Sequence, residues 1–130
     1  MTSCQRVSNG MLNLDTNILL ATVNDELKQR EEELIRGGDL AISDIVLWEL
    51  AKLVQLKRIR LDLDGTVFRR VLRQLTVYPI TLEIARHSTA LDFRSDPADE
   101  IIAATSIVER IPLLTRDTKI LKSNMVPLAR

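Results

Sequence analysis

Short apolar runs alternate along the chain with longer stretches in which apolar residues recur every three or four positions. The runs at 11–14, 40–42, 77–80, 111–115 and 125–128 read as strands. The periodic stretches predict helices over 16–23, 26–36, 43–56, 64–75, 81–91, 96–110 and 117–122. Local signals support these limits. Gly37-Gly38 stops the second helix. Ser43, Asp64, Thr81 and Asp96 stand where N-caps belong, and Pro97 occupies a first helical position. Pro79 pushes the third strand toward a sheet edge. Residues 57–63 form a basic, alternating connector.

Alternation of short buried strands with helices argues an α/β fold: a short parallel sheet flanked by helices. No internal repeat, low-complexity tract or Pro/Gly-rich linker divides the chain, so one domain is expected over 11–130, behind a loose polar extension at 1–10. In such sheets ligands bind beyond the carboxyl ends of the strands. Asp15 directly follows the first strand, and Asp117 lies just beyond Leu113-Leu114, so both carboxylates reach the same sheet edge.

Two further acids come from helices. Glu49 shares its face with Ile45, Val46, Lys52 and Leu53. An ionised carboxylate on a mostly apolar face is costly unless it is paired or binds a metal. A salt bridge to Lys52 would be the local explanation. Asp99 shares a face with Ile102 and Ala103. Its local explanation is a favourable position at the positive end of a helix dipole. Capping alone would account for Asp96, Asp15 and Asp117, and Glu100 reads as an exposed charge. As a set, these acids suggest a shared cleft. Gathered carboxylates repel one another, and a hard divalent cation relieves that repulsion. Mg²⁺ or Mn²⁺ so held could activate a water and stabilise charge building on a phosphate.

Composition narrows the function. Apolar residues make up 45% and charged residues 28%, an ordinary globular balance. Aromatics are 3%, so base stacking on aromatic rings is not expected to dominate nucleic-acid binding. The 18 basic and 18 acidic residues cancel, which excludes polyanion binding driven by net charge. Lys52, Lys57, Arg58, Arg60, Arg69, Arg70 and Arg73 nevertheless cluster against only Asp62 and Asp64. This stretch is either a solvated face or a phosphate- or partner-binding one. Cys4 is the only cysteine, so no intrachain disulfide forms, and a reducing cytoplasm is expected. No apolar run is long enough to span a membrane.

The motifs, in order, resemble those of PIN-domain ribonucleases. Leu14-Asp15-Thr16-Asn17 resembles the family's opening motif, and Ser43-Asp44-Ile45-Val46-Leu47-Trp48-Glu49-Leu50 the second. The third is carried by Asp96-Pro97-Ala98-Asp99-Glu100-Ile101-Ile102-Ala103-Ala104-Thr105 and the fourth by Leu114-Thr115-Arg116-Asp117. Residues 58–64 and the segment near Thr81 resemble the VapC branch of toxins. The resemblance implies that Asp15, Glu49, Asp99 and Asp117 hold Mg²⁺ or Mn²⁺ and are catalytic. Asp96 would be an accessory acid or a cap, and Thr16, Ser43 and Thr115 would orient carboxylates or waters. Asn17 stands where many members carry His. The implied reaction is hydrolysis of RNA phosphodiester bonds by in-line attack of water, leaving a 5′-phosphate and a 3′-hydroxyl. Implied partners are the RNA substrate, a second copy in a homodimer and a cognate antitoxin that covers the acidic cleft. Arg58, Arg60, Arg69, Arg70 and Arg73 are expected to contact RNA or antitoxin. His87 is expected on a helix surface with no catalytic role.

A receiver-like signalling domain would want a phosphoacceptor Asp at the end of a central strand and a later strand-end Lys, neither of which is apparent, and two further rivals compete with this reading. Asp62-Leu63-Asp64-Gly65-Thr66 resembles the nucleophile motif of haloacid-dehalogenase-type phosphatases, in which one Asp attacks phosphate. That motif needs a buried strand before it, and Lys57-Arg58-Ile59-Arg60 is basic. The other rival is a PIN-like module that has lost catalysis and only docks a partner. Retention of all four acids argues against it.

Overall fold

The computed structural model describes residues 10–130. Except for Gly10, the expected extension lies outside the described residues, as does Cys4. The elements run β1 (Met11–Leu14), α1 (Thr16–Val23), α2 (Gln29–Arg36), β2 (Asp39–Ser43), α3 (Ile45–Gln55), α4 (Thr66–Arg73), β3 (Leu75–Tyr78), α5 (Leu82–Ser88), α6 (Pro97–Glu109), β4 (Leu113–Leu114) and α7 (Thr118–Leu121). The four strands form one parallel sheet in the order β3-β2-β1-β4. The α/β alternation read from the sequence is thus the observed architecture, with β3 at an edge.

The core lies between the sheet and its helices. Leu14, Ile18, Leu19, Ile42, Val46, Leu50, Ile102 and Leu113 have no exposed surface. Polar Asn13 and Ser106 are buried with them. Asn13, in the middle of β1, donates from Nδ2 to Ile102 O at 3.2 Å and to Ser106 Oγ at 2.9 Å. Strand β1 and helix α6 are thereby fixed to each other, and with them the acids that each carries.

Several boundaries moved for identifiable reasons. The second helix starts at Gln29 rather than 26, because the Glu31 carboxylate accepts from Lys28 N at 2.9 Å and sets the first turn there. Asp44, not Ser43, is the N-cap residue of α3. Gly65 rather than Asp64 is the N-cap residue of α4, since Asp62 Oδ1 accepts from Asp64 N and folds that segment into a turn. Strand β3 ends at Tyr78, just before Pro79, which has no N–H for the ladder. Helix α5 stops at Ser88 rather than 91, where the Ser88 and Thr89 hydroxyls donate to Ala85 O and Arg86 O. The strand expected over 125–128 reduces to a single bridge, Leu113 to Leu128. The Ser123 hydroxyl accepts from Met125 N and Val126 N, and Pro127 has no N–H, so little backbone remains for a ladder.

The phosphatase reading loses its structural basis here. No strand precedes Asp62, and both Asp62 and Asp64 sit in an exposed turn. Among the described residues no helix is long and apolar enough to cross a membrane.

Candidate active site

Four elements deliver acids to the carboxyl edge of the sheet. Asp15 follows β1 and is also the N-cap of α1, accepting from Thr16 N at 2.8 Å. It is buried, with 3% of its surface exposed. Its second oxygen accepts from the Thr115 hydroxyl at 2.6 Å, which ties the end of β1 to the turn after β4. Thr115 Oγ1 also accepts from Asp117 N at 3.0 Å. Asp117 caps α7, accepting from Lys119 N at 2.8 Å. For Asp15 and Asp117, capping and a place at the sheet edge therefore coexist.

Glu49 is half-buried on α3 and accepts from the Thr16 hydroxyl. The alternative partner, Lys52, turns away and donates to Gln55 Oε1 at 2.8 Å. Asp99 accepts from the Ser95 hydroxyl at 2.9 Å. Asp96 heads α6, yet its side chain makes no capping bond, so capping does not account for this residue. Glu100 is partly buried rather than an exposed charge, and it accepts from Ser95 N at 3.1 Å. Ser43 accepts from Ile45 N at 3.3 Å and orients none of the acids among the described residues. His87 lies on α5 with Nδ1 at 3.0 Å from Glu83 O, apart from the cluster.

The acids influence one another. Burial pushes the Asp15 carboxyl up, the Thr115 and Thr16 bonds pull it down, and the charges of Glu49 and Asp117 push it further up. Burial also raises Glu49, with Asp99 and Asp96 adding to the effect. Asp99 is pushed up to about 6, first by burial and then by Asp15, Asp117 and Asp96, against the Ser95 bond. The structure thus brings Asp15, Glu49, Asp96, Asp99 and Asp117 into mutual electrostatic range. It leaves Arg58, Arg60, Arg69, Arg70 and Arg73 exposed on the connector and α4, and none of them is ion-paired among the described residues.

These donors suit a hard divalent cation. They are carboxylate and hydroxyl oxygens, and no basic side chain contributes to the shifts of Asp15, Glu49 or Asp99. Among the described residues, no three acidic, His or Cys side chains stand as a preformed cage. Mg²⁺ does not need one, since it keeps several waters and reaches some carboxylates through them.

Ser95 was not singled out in the sequence. A hydroxyl just before Asp-Pro was the available signal, but its bond to Asp99 depends on the loop entering α6. The Arg116–Glu31 pair was also missed. Arg116 donates to both Glu31 oxygens, at 2.7 and 2.8 Å, and so anchors the motif carrying Thr115 and Asp117 to α2.

Residues 13–123 match the family model described as PIN domain. No curated protein matches the sequence. Among solved structures, a toxin–antitoxin complex from Klebsiella pneumoniae is similar at 25% identity and a TM-score of 0.65, covering 85% of this chain and 90% of that one. FitAcB from Neisseria gonorrhoeae aligns at 20% identity and a TM-score of 0.67, covering 92% and 97%. VapBC2 from Rickettsia felis, bound to a DNA fragment from its promoter, aligns at 20% identity and a TM-score of 0.66, covering 92% and 97%.

Proposed function

The chain belongs to the PIN-domain family, and from that premise we propose that it is a metal-dependent endoribonuclease, the VapC-like toxin of a toxin–antitoxin pair. One observation carries the reading: acids from four elements meet at the carboxyl edge of the sheet, where burial and neighbouring carboxylates raise the proton affinity of Asp15, Glu49 and Asp99. Asp15, Glu49, Asp99 and Asp117 would hold Mg²⁺ or Mn²⁺, with Asp96 as an accessory acid. A bound divalent cation supplies charge stabilisation at the phosphate and an activated water. The chain's own contribution is orientation. Thr115 holds Asp15, Thr16 holds Glu49 and Ser95 holds Asp99, so a hydroxyl fixes the position of each of these three carboxylates. The unpaired arginines of the connector and α4 would contact RNA phosphates or the partner.

The partner reading follows from charge. An unneutralised acidic cleft attracts an inserted Arg or Lys, and the Klebsiella structure is itself a toxin–antitoxin complex. A cognate antitoxin would silence the enzyme by placing such a residue among the acids. A homodimer is the proposed assembly and the cytoplasm the proposed location.

Cleavage of labelled structured RNA by the purified protein tests this, with Mg²⁺ or Mn²⁺ and with chelator. Asp15→Asn and Glu49→Gln should each lower metal-dependent cutting at least about a hundredfold. Absence of both cutting and calorimetric metal binding would instead favour the inactive partner-docking module.

A further inference from the structure

A cavity of about 310 Å³ is lined by Asn17, Leu20, Ala21, Glu26 and Arg116, two of which are sequence neighbours of site residues. It touches both strand-end motifs, because Asn17 follows Thr16 and Arg116 stands between Thr115 and Asp117. The larger cavity, about 550 Å³ between the end of α1 and the start of α4, is lined by no residue of those motifs. A volume near 300 Å³ is at the lower end of the range for small-ligand pockets, roughly 300–1,000 Å³.

The walls are chemically distinct. Leu20 and Ala21 provide an apolar side. The Arg116 guanidinium is held in one plane by its two bonds to Glu31 and by a third, at 3.3 Å, to Glu26 O. With its charge already engaged, it is poorly suited to gripping a phosphate. Arg116 lines the cavity, and bases stack on guanidinium planes as they do on aromatic rings. In a chain with 3% aromatics this is a suitable platform. Asn17 and Glu26 are exposed, and neither side chain has a hydrogen-bond partner among the described residues. An amide both donates and accepts, whereas a carboxylate only accepts. Guanine alone among the bases offers two adjacent N–H donors on its Watson–Crick edge, the arrangement that matches two carboxylate oxygens.

We propose that this cavity holds one unpaired base of the RNA beside the scissile phosphate, guanine by preference, stacked on Arg116 and read by Glu26 and Asn17. The inference rests on the nuclease reading above and adds a specificity pocket to it.

Two measurements test it. Metal-free Asp15→Asn protein is titrated, by fluorescence anisotropy, with short oligouridylates carrying a single G, A or C. The cut ends of a randomised single-stranded RNA are then mapped for the active protein. The G-containing oligomer should bind most tightly, and cuts should concentrate at one fixed position relative to G. Adding Glu26→Gln should reduce the preference for G about tenfold while leaving affinity for the other oligomers nearly unchanged, and Asn17→Ala should also weaken it. Both residues are exposed, so folding is not at stake. An unchanged base profile in both variants, with RNA still bound and cut, overturns the pocket and leaves the nuclease reading intact. Failure of the unsubstituted chain to bind or cut any of these RNAs overturns both.

Discussion

Each buried acid at the sheet edge is balanced between the burial and neighbouring charges that disfavour its ionised form and the hydrogen bonds that support it. Asp99, at about 6 in the folded chain against an ordinary 3.8, binds its proton more tightly folded than unfolded. Folding therefore takes up a proton between those values, and the metal-free protein should lose stability as pH rises through that window. Asp15 and Glu49 act in the same direction. Glu31 acts oppositely: its bonds to Arg116 lower it from 4.5 to about 2, so its contribution is complete above 4.5 and is lost as pH falls toward 2. Urea midpoints of metal-free protein across pH should thus rise, peak and fall. Asp99→Asn should flatten the decline, Glu31→Gln the acid limb, and added Mg²⁺ should restore stability near neutrality by binding the folded state. A metal-free protein that gains stability between 3.8 and 6 would contradict the crowding of the acids. At this scale the sequence exposed Asp15, Glu49, Asp99 and Asp117, because their positions beside apolar runs are local facts. It concealed Ser95, and the burial of Asn13 within an apolar strand, because their roles depend on how strand, loop and helix are brought together.

Elements were legible where their ends are set by near neighbours. Thr81 accepts from Ile84 N at 3.2 Å, and Asp15 and Asp117 cap the helices they precede. They were illegible where a tertiary contact decides. Gly37 and Gly38 read alike as a helix stop, but their duties differ. A Cβ on Gly38 would stand 2.1 Å from Gly10 O, the carbonyl that accepts from Asp39 N at 3.0 Å as β1 and β2 begin to pair. A Cβ on Gly37 would meet nothing within 4 Å. Gly38→Ala should cost about 1–3 kcal/mol by forcing those strands apart. Gly37→Ala, at a helical φ of −86°, should be neutral or stabilise by less than about 1 kcal/mol. Chemical denaturation of the two variants checks the contrast, and equal losses would contradict it. The last expected strand failed for a similar reason. Asp92 accepts from Ser123 Oγ and Asn124 N, at 2.6 and 2.7 Å, and shapes the tail from 31 residues away or more.

The molecule as a whole leaves large apolar side chains in water. Trp48 is 56% exposed and Leu82 67%. Trp48 lies one turn beyond Asp44, whose Oδ2 accepts from Ile80 N at 3.3 Å and holds the approach to α5 against the start of α3. Val77 and Ile80 are also exposed. Exposed apolar side chains of this size suit the proposed homodimer better than lasting exposure to water. Sedimentation should show a dimer that Trp48→Glu and Leu82→Glu each convert to a monomer with unchanged helix content. A monomeric parent at high concentration would contradict the assembly. The alternation of elements told the layer architecture in advance, but not the order β3-β2-β1-β4, because strand period carries no information about which strands are neighbours. That order has a consequence in time. The Thr115–Asp15 bond joins residues 100 apart, and ribosomes add about 5–20 residues per second. The first acid is therefore made about 5–20 seconds before the hydroxyl that holds it. A growing chain lacks the β1–β4 pairing until the segment carrying Thr115 has emerged, so until then Asp15 is without that partner.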